Sequence, residues 1–232
     1  MRAELTFAGV PLSTFGVYVS GDGTFNAPAR AYDTVEIPGR DGALLLSEKR
    51  LENIDITYPA FVYANFRANM RQLRSFLLSR VGYQRLSDTY HPDEYRLAYF
   101  PGELEVNATP VNDAGSFDLT FTCKPQRWLT SGETVQTFTD DGTITNPTYC
   151  NALPLIRVYG VGTLEIGDYT LSITSADGYT DIDCDIMEAY KGNENRNSVL
   201  ILTEFPVLVP GENEISFTGF TKVEITPRWW VL

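Results

Sequence analysis

Apolar and polar residues alternate one for one through Ile54-Asp55-Ile56-Thr57-Tyr58, and again through Phe117, Leu119, Phe121 and Cys123 with Asp118, Thr120 and Thr122 between them. A period of two turns one face of a strand to a core and the other to water, which excludes a helical bundle. The same alternation marks Tyr169, Leu171 and Ile173, then Ile182, Cys184 and Ile186, then Val223 and Ile225. In Asp181-Ile182-Asp183-Cys184-Asp185 it points the apolar residues inward and lines the aspartates along a wet face. Asp-Gly pairs at Asp22-Gly23, Asp41-Gly42, Asp141-Gly142 and Asp177-Gly178 supply the positive φ of tight hairpin turns. The expectation is a mainly β (α+β) chain with antiparallel sheets.

One segment departs from this pattern. Between Tyr63 and Arg80, Phe66, Met70, Leu73 and Leu77 recur at spacings of four, three and four, predicting one amphipathic helix. Its other side carries Arg67, Arg71 and Arg74, which reads as a solvated face or as a basic stripe that docks on an acidic neighbour. Gly82 punctuates the helix end or the start of the next strand. A Pro-containing turn after the Phe117 strand, Lys124-Pro125-Gln126-Arg127-Trp128-Leu129-Thr130-Ser131-Gly132, places a domain boundary, giving segments 1–132 and 133–232. Beyond Gly132 only strand patterns and turns appear, as in a β-sandwich of about a hundred residues.

The chain's 232 residues, 43% of them hydrophobic, suffice for one large or two small packed cores. Its formal charge of −12 argues against a nucleic-acid groove, which needs concentrated Lys and Arg. No apolar run approaches membrane-spanning length and no export signal opens the chain, so a soluble protein made in the cytosol is expected. Cys123, Cys150 and Cys184 form no CxxC pair and read as reduced core residues.

Catalytic patterns fail one by one. The chain has one histidine, His91, in a Tyr-His-Pro turn, and no Gly-x-Ser-x-Gly elbow. The calcium-loop pattern that opens at Asp181 lacks the glycine and the chelating glutamate it needs, since Ile186 and Gly192 stand there. Gly160-Val161-Gly162 has no third glycine and reads as a turn between two strands. Glu103, Glu105 and Asp118 are carboxylates in strand-like segments, where exposure is the default. Trp229 and Trp230 point to opposite sides, so at least one belongs to the core. No cofactor or metal is implied, and the chain reads as structural rather than enzymatic.

Several strings together resemble the distal tail protein family of siphophages and of prophages in Gram-positive hosts. They are Phe15-Gly16-Val17-Tyr18-Val19, the turn Glu36-Ile37-Pro38-Gly39-Arg40-Asp41-Gly42, Gly82-Tyr83-Gln84-Arg85-Leu86, and Asp88 through Tyr95-Arg96-Leu97-Ala98. Further along come the Phe117 strand running into Lys124-Pro125-Gln126-Arg127-Trp128, then Asn146-Pro147, Phe205-Pro206 through Gly211-Glu212-Asn213, and Pro227-Arg228-Trp229-Trp230. The resemblance implies a tail-tube-like N-terminal β-sandwich domain with one helix and a galectin-like β-sandwich domain after it. It also implies a homo-hexamer whose ring joins the major tail (tube) protein to a tail-associated lysin or fibre protein. In some members the outer domains carry receptor-binding proteins. The expected setting is the virion, at the tail tip, assembled in the host cytoplasm without membrane contact, with DNA only passing through the channel.

Ring contacts are expected in the first domain, with Pro38, Gly39, Arg40, Asp41 and Gly42 of the turn and Arg67, Arg71 and Arg74 of the helix as candidates. The alternative is a carbohydrate-binding sandwich that uses exposed aromatic faces. A wall-degrading hydrolase stands third, with no motif to support it.

Overall fold

The computed structural model describes residues 3–21, 23, 25–102, 104–109 and 113–232. Asp22 of the first Asp-Gly pair and the carboxylate of Glu103 lie outside the described residues. Two compact units emerge, one ending at Arg127 and the other covering Trp128–Val231.

The strands of the first unit are β1 (Leu5–Phe7), β2 (Val10–Pro11), β3 (Val17–Val19), β4 (Arg30–Glu36), β5 (Ala43–Leu51), β6 (Ile54–Val62), β7 (Gln84–Asp88), β8 (Glu94–Tyr99), β9 (Val106–Thr109) and β10 (Ala114–Cys123). Helix α1 (Phe66–Leu78) lies between β6 and β7. The main sheet runs β2-β1-β7-β8-β10-β6-β3, antiparallel where paired, with β9 along β10. A bridge from Ala3 to Val19 brings the two ends of that path together, so the sheet curls on itself.

Alternation dictates the middle of this sheet. Along β6, Ile54, Ile56, Tyr58, Ala60 and Val62 are buried while Asp55 and Thr57 face water. Phe117, Leu119, Phe121 and Cys123 do the same along β10, and the two strands pair from Gly115–Val62 to Cys123–Ile54. Helix α1 buries Phe66, Met70, Leu73 and Leu77 against this core, as the spacing predicts. Phe76 reaches the Phe7 ring edge-on at 6.3 Å.

The turn from β7 to β8 is tied by one carboxylate. Asp88 accepts from the Tyr58 hydroxyl (2.9 Å) and from the backbone N–H groups of Tyr90 (3.0 Å) and His91 (2.9 Å). His91 therefore sits in a turn, as its Pro neighbour predicts, yet its ring is largely buried, 3.2 Å from Asp88 and edge-on to Phe25. Burial, then the Asp88 charge and hydrogen bond, push the Tyr58 hydroxyl far above its ordinary pKa.

The second unit contains the end of β11 (Arg127–Leu129), then β12 (Gln136–Phe138), β13 (Gly142–Asn146), β14 (Leu155–Ile166), β15 (Tyr169–Ile173), β16 (Tyr179–Asp183), β17 (Glu188–Lys191), β18 (Glu194–Asn195), β19 (Leu200–Leu202), β20 (Gly211–Thr226) and β21 (Trp230–Val231). Two short 3-10 turns, Thr130–Glu133 and Asn197–Val199, interrupt what reads in the sequence as strands and turns alone.

Strand β14 organises this unit. Its first half pairs with β16 and its second half with β15, while β20 runs along both halves. The register slips around Gly160, so the strand bends, and buried residues from both halves form one core with Trp229. Gly160-Val161-Gly162 is thus a bulge inside a strand, not the expected turn between two; bulges bend a strand without ending it. A Cβ on Gly162 would lie 2.1 Å from the Thr218 carbonyl oxygen, so the glycine lets the β20 backbone approach.

Other expectations change. Ile182 and Cys184 are buried as alternation requires, but Asp181 and Asp183, expected on a wet face, are 4% and 6% exposed. Arginines cover them: Arg157 grips Asp181 through two hydrogen bonds of 2.6 and 2.9 Å, and Arg228 grips Asp183. Ile186, expected inside, is 57% exposed because β16 ends at Asp183. Of the Asp-Gly pairs, Asp41-Gly42 closes a hairpin, whereas Gly178 has positive φ but links strands that do not pair with each other, and Gly142 opens β13. Cys123 and Cys184 are buried, but Cys150 is only half-buried.

Candidate assembly surfaces

Strands β4 and β5 form a two-stranded sheet of their own. In register, Val35 faces Leu44, Asp33 faces Leu46 and Thr34 faces Leu45. Period two then puts Asp33, Val35, Leu44 and Leu46 on one face of the ribbon and Tyr32, Thr34, Glu36 and Leu45 on the other. Both faces stand in solvent: Leu44 is 47% exposed, Leu45 61% and Leu46 48%. An isolated hairpin is marginal in water, and exposed contiguous apolar residues mark an interaction surface.

The sequence carries the cause. Leu44-Leu45-Leu46 breaks the alternation that elsewhere leaves one face polar, and that run is the signal our reading of the sequence missed. At the root of the hairpin the pairing slips between Arg30 and Tyr32, and Lys49 takes a left-handed φ of 57°. Such a bulge sets the direction in which a ribbon leaves its sheet.

Pro38, Gly39, Arg40, Asp41 and Gly42 lie together in the connection at the far end of this ribbon. Gly39 and Gly42 both have φ of 80°, and the Arg40 N–H donates to the Ile37 carbonyl at 3.1 Å. Arg67, Arg71 and Arg74 are exposed on α1. With Leu78 (61% exposed) they make one stripe at spacings of four, three and four along a helix that has no acidic residue. Turn and stripe occupy separate elements of the first unit.

On the second unit, a polar row crosses the sheet in register: Thr137, Glu224, Arg157, Asp181, Tyr190 and Asn195. The rings beside it are already covered by cations, Arg157 lying 4.4 Å from the Tyr179 centroid and Lys222 4.2 Å from that of Tyr159. Glu105 and Asp118 are exposed. Trp229 is core, and Trp230 donates from its indole N–H to the Asn151 carbonyl at 2.9 Å. Among the described residues no cluster of three or more His, Cys, Asp or Glu is placed to hold a metal ion, and no helix is long and apolar enough to cross a membrane.

The chain is mostly β, with one helix, a curled sheet and an exposed apolar ribbon. Residues 10–123 match the family model described as the phage tail protein RIFT-related domain. The fold is similar to the crystal structure of SPP1 Dit, described as a paradigm of the hub adsorption apparatus in phages that infect Gram-positive bacteria. The two share 15% identity and a TM-score of 0.79, over 99% of each chain. It is also similar to chains in the phage p2 baseplate in its activated conformation, with Sr and with Ca. Both comparisons give 10% identity and a TM-score of 0.53, over 97% of this chain and 96% of the other. No curated protein sequence matches. The resemblance to distal tail proteins is borne out in domain family and in fold.

Proposed function

We propose that the chain is a non-enzymatic ring subunit of the phage tail tip. In this reading the segment 1–132 closes a homo-hexameric ring. One side of the ring meets the major tail (tube) protein, and the other holds the tail-associated lysin or fibre protein. The galectin-like segment 133–232 lies outside the ring, available to receptor-binding proteins. The protein assembles in the host cytoplasm, reaches the tail tip of the virion, needs no cofactor, and touches DNA only as it passes.

The observation that carries this reading is the β4–β5 ribbon, apolar on two exposed faces, in a segment of tail-domain family. Surface of that kind is covered in an assembly. The charge of −12 agrees, because like charge disfavours contact with phosphate in a channel. The sugar-binding alternative draws less support, since Arg157 and Lys222 already occupy faces of Tyr179 and Tyr159.

The test is the mass of the purified chain across a dilution series, with negative-stain images of any large species. A six-fold ring with a central hole is expected. A monomer at every concentration counts against the reading.

A further inference from the structure

Two exposed features of the first unit have opposite charge. The outer part of the ribbon carries Asp33, Glu36 and Asp41 against Arg40 alone, with Val35, Leu44, Leu45 and Leu46 between them. The stripe on α1 carries Arg67, Arg71 and Arg74 with no acid on the helix, and runs out onto apolar Leu78. Each mixes apolar contact with a net charge of one sign. Both are exposed in the single chain, so neither covers the other.

The stripe is long enough to take the outer ribbon. From Arg67 to Leu78 the helix rises roughly 16 Å, and the three steps from the Asp33–Leu46 pair to the Glu36–Ala43 pair extend roughly 10 Å. The ribbon face that bears Asp33, Val35, Leu44 and Leu46 has its apolar side chains beside its acid, as the stripe has Leu78 beside its arginines. A bulge interrupts the ladder at the root of the ribbon, where Lys49 takes a left-handed φ and the pairing slips between Arg30 and Tyr32.

We infer that the β4–β5 ribbon of one copy lies along the Arg67-Arg71-Arg74-Leu78 stripe of a second copy of this chain. The inference rests on the ring reading above and names the two surfaces that make its contact. A patch that meets a different patch on the next copy is heterologous and closes by rotation, as a ring requires. The net-acidic outer part of the ribbon disfavours pairing with another such part and favours the one helix whose exposed charge is entirely basic, which fixes partner and order of contact.

The experiment is a charge swap in the full chain, read by mass over a dilution series. One variant carries Arg67→Glu, Arg71→Glu and Arg74→Glu, a second carries Asp33→Arg, Glu36→Arg and Asp41→Arg, and a third carries all six changes. Each triple variant should self-associate on the order of tenfold or more weakly. The six-fold variant should regain association close to that of the parent, an outcome that misfolding does not produce. If the parent forms rings and both triple variants do so equally, or if the combined swap restores nothing, the ribbon-to-helix contact is wrong and the ring reading stands. If the parent never self-associates, the ring reading fails and this contact with it.

Discussion

Arg228 and Asp183 meet side by side, guanidinium Nη1 2.7 Å from Oδ1 and Nη2 2.8 Å from Oδ2. Arg228 holds a left-handed φ of 58° in this pair. Replacing Arg228 with Ala leaves a buried charge with backbone N–H donors alone. A loss of roughly 3 kcal/mol of stability follows, because an uncompensated buried charge is more costly than the intact pair is favourable. Denaturant unfolding of the variant beside the parent measures it.

The same carboxyl gives the fold an acid edge. Burial alone raises the pKa of Asp183, but Arg228 and the backbone N–H groups of Asp185 and Ile186 overcome this and hold it below the ordinary value. A pKa depressed in the folded state means stability that is present above the unfolded value, near 3.9, and lost as pH falls through the folded one. Unfolding midpoints should therefore drop below about pH 4. Asp183→Asn should flatten that slope; an unchanged slope would remove Asp183 from the explanation.

Two glycines of the second unit resist side chains for different reasons. At Gly162 a Cβ would sit 2.1 Å from the Thr218 carbonyl oxygen, a backbone atom of β20 that cannot swing aside. Gly162→Ala should cost about 3 kcal/mol, in the range of strained core changes. Gly167 has open space around it but a φ of 54°, so Gly167→Ala should cost only about 1 kcal/mol. Thermal unfolding of the two variants orders them.

Alternation and the four-three-four spacing made β6, β10 and α1 legible because each has one dry face and one wet face. The same rule misplaced Asp181 and Asp183. Their strand is covered on its polar side by Arg157 and Arg228, and pairing between distant residues leaves no mark on a local pattern. The bulge was hidden for a related reason, since Gly160 stands there for a φ of 103° and Gly162 for the close approach of β20. Of the assembly surfaces, the Arg67, Arg71 and Arg74 stripe and the turn from Pro38 to Gly42 were visible as strings. The ribbon behind that turn was not, because an exposed Leu44-Leu45-Leu46 looks like core until its surroundings are seen.

The thiols should react in a fixed order. Burial pushes Cys123 and Cys184 up to about 12, which keeps them protonated and inert in the native protein. Cys150 is half-buried, and its pKa is raised by the same cause. Alkylation under native conditions followed by peptide mass analysis should find Cys150 modified first, and the other two only after denaturant is added.

Amide exchange should separate the ribbon from the sheet. Strands β4 and β5 bond only to each other, so their outward N–H groups exchange early, while β6 and β10 are protected by global stability. If the ribbon is covered on assembly, the ribbon amides should slow in the assembled protein and those of β6 should not change.

The long pairing of β14 with β20 also sets an order of events during synthesis. Leu155 finds its partner in Thr226, and β12, β13 and β14 all depend on β20. Until the ribosome has made residues 211–226, β12 and β13 have no partner strand and β14 has only β15 and β16. The first unit needs nothing from that stretch for its β6–β10 pairing, so it has time to fold while the rest is still being translated.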